Sequence, residues 1–304
     1  MEPAVKNTED LDRETRVDRQ AYTPDKSFLI TLLRLIGRFL PGDYLKTAFY
    51  LNAIHRPRKL LREAILSFYR FDHVYEVLSE AKKNYAGDFS ILEFGTSDGY
   101  AFTKILYAAR YLGMSDRVMV HTFDSFEGMP MSVGLTDRNL ISNDDWVQGQ
   151  FKGGYESLER YCRTRHRNYH IHKGYFQDTL TDEFLVSLRS QLPILIWIDC
   201  DYYSSCRTVF DRLIPYIPSG CAIYFDEYEF NYGSRFTGES RFVDEINRGM
   251  LCDDIELVLD RTLSLLSERV YRFIRLNADF RYKLVAPTNW GEEVHLRSND
   301  SPLP

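Results

Sequence analysis

The sequence lacks an excess of basic residues, a cysteine framework and any hydrophobic run long enough to cross a bilayer. Its net charge of −6 disfavours a nucleic-acid backbone as the main partner. The five cysteines are odd in number and form no Cys-x-x-Cys pair, which favours free thiols in a reducing, cytoplasmic setting. What remains, with 44% hydrophobic and 27% charged residues, is typical of a soluble globular protein.

The N-terminal part of the chain is predicted to lie outside the main domain. Residues 1–25 are polar and charged, which predicts a disordered tail without a signal peptide. The apolar stretch 28–40 contains Arg34 and Arg38 and is too short to span a membrane. It could lie on a membrane surface as an amphipathic helix, or pack on the domain or on a second subunit of a homo-oligomer.

Strands and helices alternate over the middle of the chain. The apolar strands are typical of a parallel sheet buried on both faces, and the alternation predicts a doubly wound α/β fold. The last two strands are predicted to form an antiparallel hairpin at one edge. The predicted strands are residues 90–94, 118–123, 169–172, 194–199, 220–225, 255–259 and 269–275. The predicted helices are residues 100–112, 155–166, 181–190, 205–216 and 239–248.

These patterns divide the chain into a tail, a helical cap, a sheet domain and a second tail. The cap is broken at Pro41 and near Pro57, and its last helix has an apolar stripe that includes Val74 and Leu78. The predicted boundaries are 1–25, 26–84, 85–280 and 281–304.

The stretch ILEFGTSDGY (residues 91–100) predicts a strand, a tight turn and a helix. Gly95 would let the backbone approach a ligand, and Gly99 would let the helix start against that ligand. Glu93 suits a ligand that carries an amino group or free hydroxyls. The spacing differs from the Gly-x-Gly-x-x-Gly that cradles a pyrophosphate, so a nucleotide-binding dehydrogenase is disfavoured. An ordinary β-turn-α remains an alternative interpretation.

Acidic residues follow two later strands. Asp199 and Asp201 follow one strand, and Asp226 and Glu227 follow the next. The carboxyl ends of parallel strands meet at one edge of the sheet, where these carboxylates would repel one another unless a cation compensates them. Oxygen-only ligands indicate Mg²⁺ or another divalent cation. Helix caps and salt bridges to Arg207 or Arg235 are the alternative.

Other residues at the same edge suit a nucleoside-like ligand. Asp124 is placed to accept hydrogen bonds from a ribose diol, although it could instead be a turn residue. Phe176 could stack on a base, and Gln177 or Asp178 could hydrogen-bond it. The long connection from Phe123 to Tyr169 lacks a clear period over residues 128–154, which predicts a substrate-side lid.

With these motifs in view, residues 68–250 resemble class I S-adenosylmethionine-dependent methyltransferases. Within that class the chain is similar to the metal-dependent macrocin/mycinamicin-type sugar O-methyltransferases. The segments that carry the resemblance are ILEFGTSDGY, FDSFEGMP, HKGYFQDTL, WIDCDYYSS and IYFDEYEF. The resemblance implies a Rossmann-like methyltransferase fold with a mostly parallel seven-stranded sheet and an N-terminal helical cap.

The resemblance also implies roles for individual residues. S-adenosylmethionine would be held by Glu93, Gly95, Thr96, Gly99, Asp124, Ser125, Phe176 and Gln177. The metal would be held by Asp199, Asp226 and Glu227. The family usually has Asp where this chain has Glu227, and Gly where it has Cys200, so the metal ligation differs in detail.

The implied reaction is methylation of a hydroxyl on a sugar, a glycosylated natural product or a glycan. Asp199 and Asp201 are the predicted catalytic residues, with Asp201, Tyr202 or a histidine of the loop or cap as candidate bases. A cephalosporin hydroxylase-like enzyme on the same fold and a non-catalytic binding module remain alternatives. No two-His-one-carboxylate set is evident in the sequence, which disfavours an iron oxygenase.

Overall fold

The computed structural model describes residues 71–84, 87–141, 145–264 and 269–276. The strands are β1 (Asp88–Phe94), β2 (Val118–Asp124), β3 (Tyr169–Lys173), β4 (Gln191–Ile198), β5 (Ala222–Phe225), β6 (Ile255–Leu259) and β7 (Arg269–Arg275). The α-helices are α1 (Asp72–Asn84), α2 (Tyr100–Tyr111), α3 (Tyr155–Arg165), α4 (Phe176–Thr179), α5 (Asp182–Ser187), α6 (Tyr203–Leu213) and α7 (Gly238–Asn247). Short 3₁₀ turns span Gly134–Asp137, Ile214–Tyr216 and Phe230–Gly233.

The seven strands form one sheet in the order β3–β2–β1–β4–β5–β7–β6. The first five strands are mutually parallel, and β7 pairs antiparallel with both β5 and β6. The predicted doubly wound, mostly parallel sheet is therefore confirmed. The last two strands do pair antiparallel, and β7 lies between β5 and β6, so that β6 forms the edge.

The central strands are buried because helices cover both faces of the sheet. Every residue of β1 after Asp88 is buried, and β4 is buried from Pro193 onward. β4 begins three residues earlier than the sequence predicts. Gln191 to Pro193 pair with the start of β1, and a register shift between Ser90 and Ile91 then follows. Proline is tolerated at such irregularities, although it reads as a strand boundary in the sequence.

Helix α1 is the only described part of the predicted cap. Its stripe of Val74, Val77 and Leu78 is buried, as predicted. His73 stacks on Tyr224 of β5 at 4.5 Å between ring centroids, which places the start of α1 beside the carboxyl end of β5. The predicted tails 1–25 and 281–304, and cap residues 26–70, lie outside the described residues.

A buried ion triad joins α1 to the β6–β7 edge. The Arg272 guanidinium donates to Glu80 of α1 and to Asp260, each at 2.8 Å, and to the Gly220 carbonyl at 3.0 Å. About nine-tenths of each charged side chain is shielded from solvent. Removing the cation would leave two buried carboxylates without their partner.

Within the stretches that the structure describes, we find no helix with the length and apolar character needed to cross a membrane.

We predict that Arg272→Ala lowers the free energy of unfolding by about 3–5 kcal/mol, because it uncovers two buried carboxylates. The matched control is Arg248→Ala, which removes a half-exposed pair with Asp244 and should change stability by less than about 1 kcal/mol. Urea denaturation of both variants measures the difference. Equal losses would contradict the assigned role of the triad.

Candidate active site

A cavity of about 480 Å³ opens at the carboxyl ends of the parallel strands. Its walls come from the turn after β1, the loop after β2, helix α4 and the residues that follow β4. This is the position and size expected for a small-molecule site on an open parallel sheet. The predicted residues that line it are Gly95, Thr96, Asp124, Ser125, Phe176, Gln177, Asp199, Asp201 and Glu227.

The turn after β1 is held by one carboxylate. Asp124 Oδ2 accepts hydrogen bonds from the Thr96 and Ser97 amides at 2.7 and 2.9 Å, and Oδ1 accepts one from the Phe126 amide at 2.6 Å. Asp124 therefore orders both loops that flank the cavity. Asp124 therefore has the turn role that was the alternative for it, and it is also one of the residues that line the cavity.

At two positions of this turn, only glycine fits, and the neighbour that excludes a side chain differs between them. Gly95 has φ of +95°, and a Cβ there would overlap the Asp199 carbonyl oxygen at the end of β4. Gly99 has φ of +77°, and a Cβ there would overlap the Leu158 side chain of α3. Gly95 thus permits close approach of the turn to the β4 backbone, and its predicted approach to a ligand stays a prediction. Gly99 instead permits helix packing, and among the described residues it is not part of the cavity lining.

Glu93 lies behind the cavity wall rather than in it. The side chain is fully buried, and Glu93 accepts a hydrogen bond from the Thr122 hydroxyl, which leaves the Thr96 hydroxyl to donate to Thr122. Burial raises the Glu93 pKa from 4.5 to about 8 against the opposing effect of the Thr122 bond. The sequence placed Glu93 on the ligand, whereas in the structure it is fully buried and is linked to the cavity wall through the Thr122 and Thr96 hydroxyls.

The carboxylates after β4 and β5 form one acidic group, in which Asp201 is buried and Asp199, Asp226 and Glu227 are half-buried. Burial, with repulsion from Asp226 and Asp201, raises the Asp199 pKa well above its usual range. Burial, followed by repulsion from Glu227 and Asp226, raises the Asp201 pKa to about 7. Asp201 also adopts a left-handed backbone with φ of +61°, which indicates a strained position in the site.

A further carboxylate belongs to this group and was missed from the sequence. Glu239 in the first turn of α7 is fully buried and accepts a hydrogen bond from the Glu227 amide at 3.0 Å. Burial raises its pKa well above the usual range, and repulsion from Asp201 and Asp226 adds to the effect. Only long-range packing brings α7 here, so no local sequence signal could have found this residue.

The alternative of salt bridges to nearby arginines does not hold for the residues that the structure describes. Arg207 pairs with Asp211 at 2.8 Å and lies 3.9 Å from Glu245. Arg235 lies over the Phe236 ring. Tyr224 donates a hydrogen bond to Asp226 Oδ1. The acidic group is therefore not neutralised by either predicted arginine.

The oxygen donors of this acidic group suit a hard divalent cation, although the carboxylate oxygens do not lie close enough together to share one ion. Among the described residues, only Cys252, Asp253 and Asp254 have ligand atoms that all lie within 4.8 Å of one another. Asp199 and the two carboxylates after β5 would need to rotate their side chains to share one ion. Half-buried oxygen donors that repel one another are nevertheless the kind of set that such an ion stabilises.

The connection after β2, predicted as a lid, packs across the cavity in its described parts. Asp137 is buried and accepts bonds from the Ser204 amide at 3.0 Å and the Ser204 hydroxyl at 2.6 Å. Asn231 accepts from the Leu140 amide at 2.7 Å, and Trp146 stacks on Phe230 at 4.5 Å. These contacts join the connection to α6 and to the segment after β5.

The comparisons with known proteins agree with this architecture. Residues 92–228 match the family described as a methyltransferase domain. The calicheamicin methyltransferase CalS11 is 17% identical with a TM-score of 0.53, covering 84% of this chain and 95% of that one. These findings confirm the expected Rossmann-like methyltransferase fold.

Two more distant structures are similar over most of this chain. The O-methyltransferase NovP is 19% identical with a TM-score of 0.49, covering 81% of this chain and 99% of that one. MycE, a methyltransferase from the mycinamycin biosynthetic pathway solved with Mg and SAH, is 12% identical with a TM-score of 0.36, covering 79% and 65%. Curated proteins gave no match to the sequence.

We predict that Gly95→Ala lowers the free energy of unfolding by about 3 kcal/mol or more and abolishes S-adenosylhomocysteine binding, because the methyl group collides with the β4 backbone. Gly113→Ala is the control, since Gly113 also has positive φ (+67°) but nothing lies within 4 Å of an added Cβ. It should cost only about 1–2 kcal/mol. Denaturation and calorimetry measure both effects, and similar losses would refute the collision.

We predict that Glu93→Gln flattens the dependence of stability on pH. The folded-state pKa of about 8 exceeds the usual 4.5, so the contribution of the protonated group is fully present below pH 4.5 and is lost as the pH rises towards 8. The parent should lose up to about 1.4 kcal/mol per pH unit more than the variant in this window. Urea denaturation between these limits tests it, with exposed Asp88→Asn as control. Parallel curves for parent and E93Q would rule it out.

Proposed function

We propose that the protein is an S-adenosylmethionine-dependent O-methyltransferase, assisted by a divalent cation, that acts on a hydroxyl of a sugar, a glycosylated natural product or a glycan. The methyltransferase domain supports the methyl donor. The observation that supports assistance by a cation is the group of buried and half-buried carboxylates beside the cavity, which repel one another. S-adenosylmethionine supplies an already reactive methyl when bound, and the cation supplies Lewis acidity that lowers the pKa of a coordinated hydroxyl.

In this proposal the turn after β1 and helix α4 hold the donor from opposite sides. Gly95 leaves room for the methionine end, with Thr96 and Ser125 beside it. Asp124 positions the turn through its three amide contacts and offers remaining acceptor capacity to a ribose hydroxyl. Phe176 would lie against the adenine. It is braced edge-on by Phe94, at 5.5 Å between centroids.

Asp199, Asp226 and Glu227 would hold the cation. Asp199 and Glu227 line the same cavity as the donor residues, so an acceptor hydroxyl at the cation would lie beside the methyl group. Because the donor is already activated, the main task of these residues is to position the acceptor in line with it.

Asp201 is the favoured base among the candidates. Asp201 lines the cavity, and a pKa of about 7 keeps much of its carboxylate ionised at neutral pH and able to take the acceptor proton. Tyr202 is disfavoured, since its hydroxyl donates to the Trp146 carbonyl and burial raises its pKa to about 12. The described cap histidine, His73, stacks on Tyr224 behind the site.

The rim of the cavity favours an acceptor with an apolar part. Met131, Val133 and Phe151 line the cavity, and each remains more than half exposed, at 68%, 64% and 53%. Such side chains offer contact area to an aglycone but few hydrogen bonds to a free sugar. A glycosylated natural product therefore suits the rim better than an isolated sugar.

We predict that Asp226→Ala lowers methyl transfer by at least about 100-fold while S-adenosylhomocysteine affinity stays within about threefold, because the change removes a cation ligand and leaves the donor wall intact. Asp254→Ala is the control. Asp254 belongs to a separate set of possible ligands, Cys252, Asp253 and Asp254, and should be dispensable for methyl transfer. Turnover of a glycosylated acceptor panel and calorimetry are the measurements. Full activity of D226A, or of the parent in excess chelator, would refute the metal-assisted mechanism.

A further inference from the structure

Glu239 occupies an unusual place for a carboxylate. It lies in the first turn of α7 with no solvent exposure, although the other acidic side chain buried in that helix, Glu245, is paired with Arg241 at 2.8 Å. The backbone of α7 comes close to the site here, since a Cβ added to Gly238 would lie 3.8 Å from the Asp201 carbonyl oxygen. The helix therefore brings Glu239 to the acidic group.

The two oxygens of Glu239 have different surroundings. Oε2 accepts a hydrogen bond from the Glu227 amide at 3.0 Å, so it fixes the backbone of a proposed cation ligand. Oε1 is buried and has no hydrogen-bond partner in the described structure. A buried carboxylate oxygen without a partner is unfavourable, and it calls for a ligand that the protein itself does not supply.

Nearby cations do not supply that partner among the described residues. Arg207 pairs with Asp211, Arg241 with Glu245, and Arg248 with Asp244. The side chains whose charges act on Glu239 are instead the carboxylates Asp201, Asp226, Asp199 and Glu227. The start of α7 offers only the partial positive charge of a helix N-terminus.

We infer that Glu239 is a further carboxylate of the cation site, which holds Glu227 through its backbone amide and adds one negative charge to the group that the cation neutralises. This inference rests on the proposed function. It assigns Glu239 as a positioning residue for Glu227 and as a contributor to cation affinity. Glu239 is thus a cation-site residue on α7, whereas the predicted ligands follow β4 and β5.

The test is calorimetric titration of MnCl₂ into the full-length protein saturated with S-adenosylhomocysteine. Glu239→Gln keeps an oxygen that can accept from the Glu227 amide but removes the charge. We expect the Mn²⁺ Kd to rise at least about 10-fold. Glu245→Gln is the matched control on the same helix, and its Mn²⁺ Kd should stay within about twofold of the parent. S-adenosylhomocysteine affinity, measured in each variant, reports that the fold is intact.

A second variant separates charge from structure. Glu239→Asp keeps the charge on a shorter side chain, so its Mn²⁺ Kd should lie between those of the parent and E239Q. Parent-like Mn²⁺ affinity in E239Q would overturn the inference and leave Glu239 as a structural acceptor. If E239Q does not bind S-adenosylhomocysteine, the decision rests on E239D, whose shorter side chain withdraws from the Glu227 amide, so that a Kd equal to that of the parent overturns the positioning role. A parent that binds S-adenosylhomocysteine but no Mn²⁺ would overturn the proposed cation and this inference together.

Discussion

Repulsion among carboxylates in a buried space is the constraint on which the rest of this site depends. Parallel strands end at one edge, so acidic residues after β4 and β5 are forced together by topology. Burial disfavours their charged forms, and each ionised neighbour adds to that effect. A fold that retains such a group must gain something from it. The proposed gain is a cation that places an acceptor hydroxyl beside the methyl donor.

The shape of the rest of the cavity depends on how closely the turn after β1 and the connection after β2 approach the ends of the strands. Gly95 lets the turn after β1 pass against the Asp199 carbonyl, which brings the donor wall next to the acidic group. Asp124 then fixes this turn through backbone amides instead of relying on a ligand to order it. The connection after β2 is held over the cavity by side-chain hydrogen bonds. Asp137 accepts from the Ser204 amide, and Asn231 accepts from the Leu140 amide, so these amides have partners although the segment is irregular.

Much of the fold could be predicted from the sequence because its signals are local. Apolar patterning predicted all seven strands, and the antiparallel pairing of the last two was predicted because no helix is evident between them in the sequence. Features that depend on distant partners could not be predicted. Glu239 resembles any acidic residue at a helix start, and Gly99 is required by Leu158 of another helix. Pro193 reads as a boundary, although the irregular pairing of β4 with β1 accommodates it.

The most direct test of the cation site is a crystal grown with S-adenosylhomocysteine and soaked in Mn²⁺, with data collected for anomalous scattering. The account predicts S-adenosylhomocysteine against Gly95 and Phe176, and an anomalous peak bounded by the carboxylates of Asp199, Asp226 and Glu227. A well-ordered S-adenosylhomocysteine molecule with no anomalous peak among these carboxylates would contradict the cation site and leave a methyltransferase that works without a metal.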